Sequence, residues 1–458
     1  MKLKNILSAA LFVSASMGMT SCESFLDLTP PTTIGENNFF ETNDEIESAT
    51  IGIYAGLQEF TNQAWAIDGI CDDNTFPGTE GFYNQMNTFT FNTFTGFFYD
   101  YYRLSYMTIN RANMVLEHVD KVTEENLRNQ LKGEALFLRA YLYHQLVQAY
   151  GHVPLVLTPI AHDDYTAMRN DKTVAEIYTQ ISADLEMAIP LLPASYNGSD
   201  LGRATSWAAK GILAKVRMNT DNNSGAKLLL EDIINNGPFS LQEDYKSIFE
   251  NEMNSEILFA VRYSAGNNEH QTFSYEFSAR GTFGGVQATQ SYLDLFDATD
   301  IRKEASSGED QGKIVVDKYS SVGADAEQSG VDWVVLRLAD VKLLYAEILN
   351  EEGNQQGAVD IINEIRTRAK ASAVTATTPA EVAEAVALER RLELAFEGHR
   401  WQDLKRYGMP YAMDAINAYY LYDDINGGDI QELHKIFPLP QREVNVSQGA
   451  IIQNEGYL

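Results

Sequence analysis

The sequence predicts a mostly α-helical fold: a scaffold of helix pairs carrying a loop-rich irregular region and minor short β-strands. Three observations predict it. Capping boxes at Thr42-x-x-Glu45, Thr173-x-x-Glu176 and Thr378-x-x-Glu381 mark helix starts, because each Thr hydroxyl can accept from the third residue's N–H while the Glu reaches back. Apolar residues recur at helical spacing: Leu131, Ala135, Leu138, Leu142 and Leu146; Ile177, Ile181 and Leu185; Val382, Val386, Leu392 and Phe396. Helical stretches also come in pairs across short polar turns.

In chain order, the early helical region is interrupted by "WAIDGICDDNTFPGTEGFYNQMNTFTFNTFTGFF", Trp65 to Phe98, which reads as irregular. Trp207 to Met218 and Ala226 to Asn235 flank "NTDNNSG", and Leu336 to Leu349 and Ala358 to Ala369 flank "NEEGNQ". Small residues along such stretches (Gly133, Ala135, Ala140; Ala208, Ala209, Gly211, Ala214) let helices approach closely, as in tetratricopeptide-like hairpins, although the repeat period is degenerate. Glu256 to Tyr263 and Lys313 to Ser320 read as short strands. Between them "SAGNNEHQTFSYEFSARGTFGG" reads as a long loop, a kind of segment that is usually functional or disordered. The last capping box has Pro379 at the first helical position, where a missing N–H costs nothing.

The formal net charge of −30, from 64 acidic and 34 basic residues, argues against a nucleic-acid binder, which needs a basic stripe to displace counterions. It also disfavours electrostatic adhesion to anionic membranes. At the N-terminus, Lys2 and Lys4 precede the apolar stretch Ile6 to Val13, and small residues lead to Cys22: an export signal over residues 1–21 followed by a lipidation site at Cys22. Met19 stands where the usual lipobox has Leu. Acyl chains on Cys22 would anchor the protein to a membrane without a spanning helix. The one remaining cysteine, Cys71, excludes a disulfide framework and reads as a core or pocket-wall residue.

Phosphate-loop, dinucleotide, zinc-protease and nucleophile-elbow motifs are absent, and the seven histidines show no metal-ligand spacing. The densest charged run is "ERRLELAFEGHRWQDLKRYG", Glu389 to Gly408. Glu389, Glu393 and Glu397 fall at i, i+4 and i+8. That spacing on one helix argues for ion pairs with Arg390, Arg391 and Arg400 rather than for a glycosidase pair, whose carboxylates face each other across the sugar. The Trp65–Phe98 stretch has a lectin-like mixture of aromatic platforms and polar groups: Trp65, Asp68, Asp72, Asp73, Asn74, Phe76, Phe82, Tyr83 and Asn84. The alternative reading makes the aromatics core. Oxygens of Asp72, Asp73 and Asn74 leave structural calcium open, although the twelve-residue loop spacing is lacking. No other cofactor is expected.

Five segments in register carry a resemblance: "SCESFLDLTPP", "LKGEALFLRAYLYHQLVQAYGHVPLV", the pair "GRATSWAAKGILAKVRM" and "RLADVKLLYAEILNEEGNQQGAVDIINEIRTRA", "ERRLELAFEGHRWQDLKRYG", and "FPLPQREVNVSQGAIIQNEGYL". The chain resembles the RagB/SusD family of glycan-binding outer-membrane lipoproteins. The resemblance implies a single SusD-like domain over 22–458, with helix pairs at roughly 100–236 and 331–407 and irregular ligand-binding regions at roughly 60–98 and 264–290. It implies no catalysis, a cell-surface position, and delivery of oligo- or polysaccharide to a SusC-like TonB-dependent transporter. It makes Trp207, Trp333 and Trp401 structural and leaves Trp65 in the region where the family places sugar-stacking aromatics, with Tyr275, Phe277 and Phe283 in the second such loop. The expected ligand contacts are Trp65, Asp68, Asp72, Asp73, Asn74, Phe76, Tyr83, Tyr275 and Phe283, with Trp65→Ala expected to weaken glycan retention at little cost in stability. A helical glycoside hydrolase, or a protein that binds peptide or another nutrient, is the rival reading.

Overall fold

The computed structural model describes residues 39–78, 81–160, 167–265, 269, 271–282, 285–319 and 329–457. Cys22, Phe283 and the predicted export signal lie outside them, as does the side chain of Asp68. The three capping boxes form as read. At the first, Glu45 N–H donates to Thr42 Oγ1 (3.3 Å) and Thr42 N–H to Glu45 Oε2 (2.9 Å), starting helix α1, Asn43–Ile70. Strand β1 (Thr75–Phe76) and helix α2 (Gly81–Asn87) follow. Next come α3 (Gly96–His118), α4 (Glu125–Tyr150), α5 (Val174–Leu191), α6 (Ser206–Met218) and α7 (Asn223–Asn236).

Among the described residues, strands are short pieces: β2 (Ile257–Val261), β3 (Gln287–Ala288), β4 (Ser307–Asp310), β5 (Lys313–Val316) and β6 (Trp333–Arg337) join β1. The chain then returns to helices α8 (Leu338–Glu351), α9 (Gln355–Arg368), α10 (Pro379–Glu393), α11 (Arg400–Tyr407) and α12 (Met409–Tyr422). Successive helices pack on one another from α3 through α7, α7 packs on α8, and α8 packs on both α9 and α10. This is the stacked helix-pair scaffold the small residues predict. At Gly211 of α6 a Cβ would fall 2.2 Å from Leu336 Cδ2, so the close approach to β6 requires glycine there.

Two departures from the sequence reading matter. Trp333–Arg337 is a buried strand, antiparallel to β2 with Val261 opposite Trp333, so α8 starts at Leu338 rather than Leu336. Its Trp-Val-Val-Leu composition suits a strand once β2 supplies the hydrogen-bonding edge. Trp65 to Ile70 is the last turn and a half of α1, so the irregular stretch begins at Cys71. The helix stops there because Asn87 Nδ2 donates to the Ile70 carbonyl (3.0 Å) and to that of Thr75 (3.0 Å), satisfying orphan acceptors with a side chain. Cys71 is fully buried against this junction.

The charged run is scaffold, with different partners from those expected. Helix α10 ends at Glu393, and Phe396 (φ 67°) and Gly398 (φ 78°) turn the chain, so Glu397 lies in the turn. Arg337 donates to Glu393 Oε1 (2.6 Å) and to both Glu397 oxygens (2.8 Å each), while Arg302 bridges Glu389 (2.6 Å) and Glu393 (3.0 Å). Lys318 adds a bond to Glu397 (2.9 Å), and Arg366 and Arg368 close the network. Arg390 and Arg391 face other carboxylates, because residues next to each other on a helix point in different directions.

Candidate functional site

The candidate site is the surface built by α2, the start of α3 and the loop around 271–289. Beneath it a chain of aromatic rings runs from the scaffold outward. Trp333 stacks on Tyr319 (5.3 Å, 12°), Tyr319 on Phe277 (5.9 Å, 12°), and Phe277 meets Trp65 edge-on (5.2 Å). Trp65 contacts Tyr83 (5.5 Å), Tyr83 stacks on Phe97 (5.1 Å, 18°), and Phe97 meets Phe82 edge-on (6.4 Å). Exposure rises along the chain: Trp65 is buried at 2%, Phe97 is half-buried, and Phe82 stands 56% exposed. Ring pairs of this geometry each contribute about 0.5–1.5 kcal/mol beyond burial, so the outermost ring rests on a stiff column.

Polar groups flank the column. Glu276 accepts from Thr282 N–H (2.9 Å) and Thr282 Oγ1 (2.7 Å), and burial raises its carboxyl above the usual range. Burial, followed by the charge of Glu276, likewise pushes the Tyr83 phenol up, so it stays protonated and donating. Gly285 (φ 80°) lets this loop fold onto itself: a Cβ there would sit 1.8 Å from the Ser278 carbonyl. Val286 N–H then donates to Glu276 O (2.7 Å), which fixes the Phe273–Glu276 helical turn against the column.

The structure sorts the sequence-predicted contacts. Trp65 is not a surface platform; it is core, because α1 turns it inward between Tyr83 and Phe277. Tyr83 is also buried, with Phe97 covering its face. Phe76 and Tyr275 are half-buried and lie on the two segments that meet here. Asp72, Asp73 and Asn74 are buried, and their oxygens are taken by donors of the protein itself. Asp72 Oδ1 accepts from Asn74 N–H (3.0 Å), Thr75 N–H (2.9 Å) and Thr75 Oγ1 (2.9 Å), which makes it the turn-former between α1 and β1. Asp73 is clasped by Arg400 and Arg391, and Asn74 Oδ1 accepts from Arg391 Nε (2.8 Å). Two guanidiniums already supply the positive charge that calcium would bring, so these oxygens do not fit a cation. Among the described residues no His/Cys/Asp/Glu group suits a metal ion.

What the sequence reading missed is the rank order within the aromatics. Phe82, named with the stretch but not chosen, is the exposed ring of the column, and Phe97 is its neighbour. The signal was present in outline: Phe82 and Tyr83 are adjacent on the short helix α2, so their rings point in different directions.

Two family models match the chain. One, described as the SusD family, covers residues 307–457; the other, described as starch-binding associating with outer membrane, covers residues 24–218. The chain belongs to the SusD-like family. SusD-like protein P25 of Formosa agariphila is 24% identical across 98% of this chain and 97% of its own length. Among solved structures, a SusD superfamily protein from Bacteroides vulgatus superposes with a TM-score of 0.79 at 22% identity, over 91% of this chain and 100% of its own. Surface glycan-binding protein A from Bacteroides thetaiotaomicron, solved in complex with laminarihexaose, gives 0.76 at 20% identity over 90% and 99%. This SusD-like chain therefore shares their helix-rich fold over nearly its whole length.

Proposed function

We propose that this SusD-like protein captures oligo- or polysaccharide at the cell surface without cleaving it. The observation that carries the reading is the aromatic column ending in exposed Phe82: sugars present flat C–H faces, and a fixed ring offers a platform for one. Half-buried Phe76 and Tyr275 lie on the segments that meet at the column, and with Asp68 and Phe283 they are the further ligand contacts of this reading. The starch-binding description of the matched model and the laminarihexaose complex of a structural relative support a glycan as ligand. Affinity electrophoresis in gels containing neutral and charged polysaccharides tests this; Phe82→Ala should weaken retardation while remaining folded.

Three further parts of the reading go with it. The chain matures by removal of residues 1–21 and lipidation on Cys22, leaving one domain over 22–458 at the outer membrane. It hands its ligand to a SusC-like TonB-dependent transporter. It is no enzyme: the glutamates most suggestive of hydrolysis, Glu389, Glu393 and Glu397, are buried and held by guanidiniums. Burial opposes ionisation of Glu393, but the guanidiniums of Arg368, Arg337 and Arg302 prevail and hold its carboxyl well below the usual range, unsuited to donating a proton at neutral pH. Release of new reducing ends from a retained glycan would contradict that part.

A further inference from the structure

A second concave feature shares no lining residue with the aromatic column. Two adjoining depressions, of ≈ 640 and ≈ 400 Å³, share Glu384, Arg391, Arg400 and Tyr411 and so form one groove beside α12. On α12, Tyr411, Ala415, Ala418 and Tyr422 fall at i, i+4, i+7 and i+11, which places them on one face. At about 1.5 Å per residue, the two tyrosines stand roughly 16 Å apart with a trough of alanines between them. Ser291, Asp294 and Leu295 form the opposite wall.

The ring of Tyr422 is 59% exposed, yet its hydroxyl donates to Asp294 Oδ2 (2.7 Å), which holds it across the groove. Arg400 is nine-tenths buried and lines both depressions. Its Nε and Nη2 are committed to Asp73, and its Nη1 has no hydrogen-bond partner among the described residues. That nitrogen is not sealed from solvent, so it is placed to donate to a ligand oxygen entering the groove. The lining carboxylates (Asp73, Asp294, Glu381, Glu384, Asp414) outnumber the lining guanidiniums (Arg391, Arg400), so an anionic ligand is disfavoured. What fits is a neutral chain that both donates and accepts hydrogen bonds and has flat apolar faces for the terminal rings.

We propose that this groove is a second carbohydrate-binding site, for an uncharged oligosaccharide lying along α12 between Tyr411 and Tyr422. It is independent of the Phe82 surface. Exposed Ala418 allows a test that does not disturb the core: Ala418→Arg fills the trough. The full chain is run by affinity electrophoresis against laminarin, starch, a neutral mannan and, as charged controls, pectin and carrageenan, in four forms: unsubstituted, A418R, F82A and both.

With a neutral polysaccharide that retards the unsubstituted protein, A418R should weaken retardation at least threefold, and should do so again in the F82A background. Tyr422→Ala should act in the same direction, and circular dichroism should remain that of the folded protein. A418R migrating like its parent in both backgrounds overturns the proposal, as does retardation by the charged polysaccharides alone. In that last case the Phe82 reading survives if F82A abolishes the retardation. Loss with A418R and none with F82A would instead uphold the groove and sink the Phe82 reading.

Discussion

Arg400 clasps Asp73 in a bidentate pair across 327 residues of sequence: Nε donates to Oδ1 at 2.7 Å and Nη2 to Oδ2 at 2.9 Å. Arg391 adds an ion pair to the same carboxylate at 3.2 Å, so the turn after α1 is locked to α10 and α11. Burial opposes ionisation of Asp73, but the two guanidiniums prevail and hold its carboxyl well below the usual range. Removing one member of such a buried set leaves charge uncompensated. Asp73→Ala should therefore cost about 3–5 kcal/mol in urea-induced unfolding. A loss within about 0.5 kcal/mol would mean the clasp contributes nothing.

Trp65 and Phe82 should separate stability from binding. Trp65→Ala removes a buried ring from the middle of the column and should cost about 3–5 kcal/mol. Phe82→Ala removes an exposed one and should cost less than about 1 kcal/mol. Thermal or denaturant unfolding of both variants checks the pair, and equal losses would contradict the column as described.

Asp72 gives a pH dependence with a definite sign. Burial first, and then the Asp73 charge, raise its carboxyl to about 6 in the folded chain. A raised acid binds its proton more tightly folded than unfolded, so its favourable contribution is full below the unfolded value near 4 and is lost as pH rises towards 6. Relative to Asp72→Asn, the unsubstituted protein should lose roughly 2–3 kcal/mol of stability between pH 4 and pH 7. A pH-independent difference between the two would refute the assignment.

The glutamate network should matter to folding and not to ligand retention. Glu393→Gln breaks bonds to Arg302, Arg337 and Arg368 and should destabilise by about 3–5 kcal/mol, while the folded fraction retains glycan like the unsubstituted protein. Retention measured well below the unfolding midpoint decides it. Selective loss of retention would move these glutamates into the site.

What was legible in the sequence is what acts locally. Each capping box involves residues three apart, and all three form; the helix pairs read from spacing and small residues are present with boundaries shifted by a few positions. What was not legible depends on partners far along the chain. Asp73 and Asn74 look like part of an exposed polar loop because their partners, Arg391 and Arg400, are over 300 residues away. Trp65 looks like a surface platform because Tyr83 and Phe277, which bury it, come from two other segments. Glu393 and Glu397 look paired with their helical neighbours, whereas Arg337 arrives from the end of β6 and Arg302 from the short helix Arg302–Ser306 before β4. The family resemblance, carried by five segments at once, pointed to the region in which the site is proposed but not to the exposed ring of the column.

The central claim is that glycan is held at the outer end of the aromatic column. Affinity electrophoresis of Phe82→Ala beside the unsubstituted protein, in the polysaccharide that retards the latter most, tests it directly. Loss of a fixed aromatic contact of about 0.5–1.5 kcal/mol should weaken retention by up to about tenfold, with unfolding unchanged. Retention equal to that of the unsubstituted protein would contradict the account.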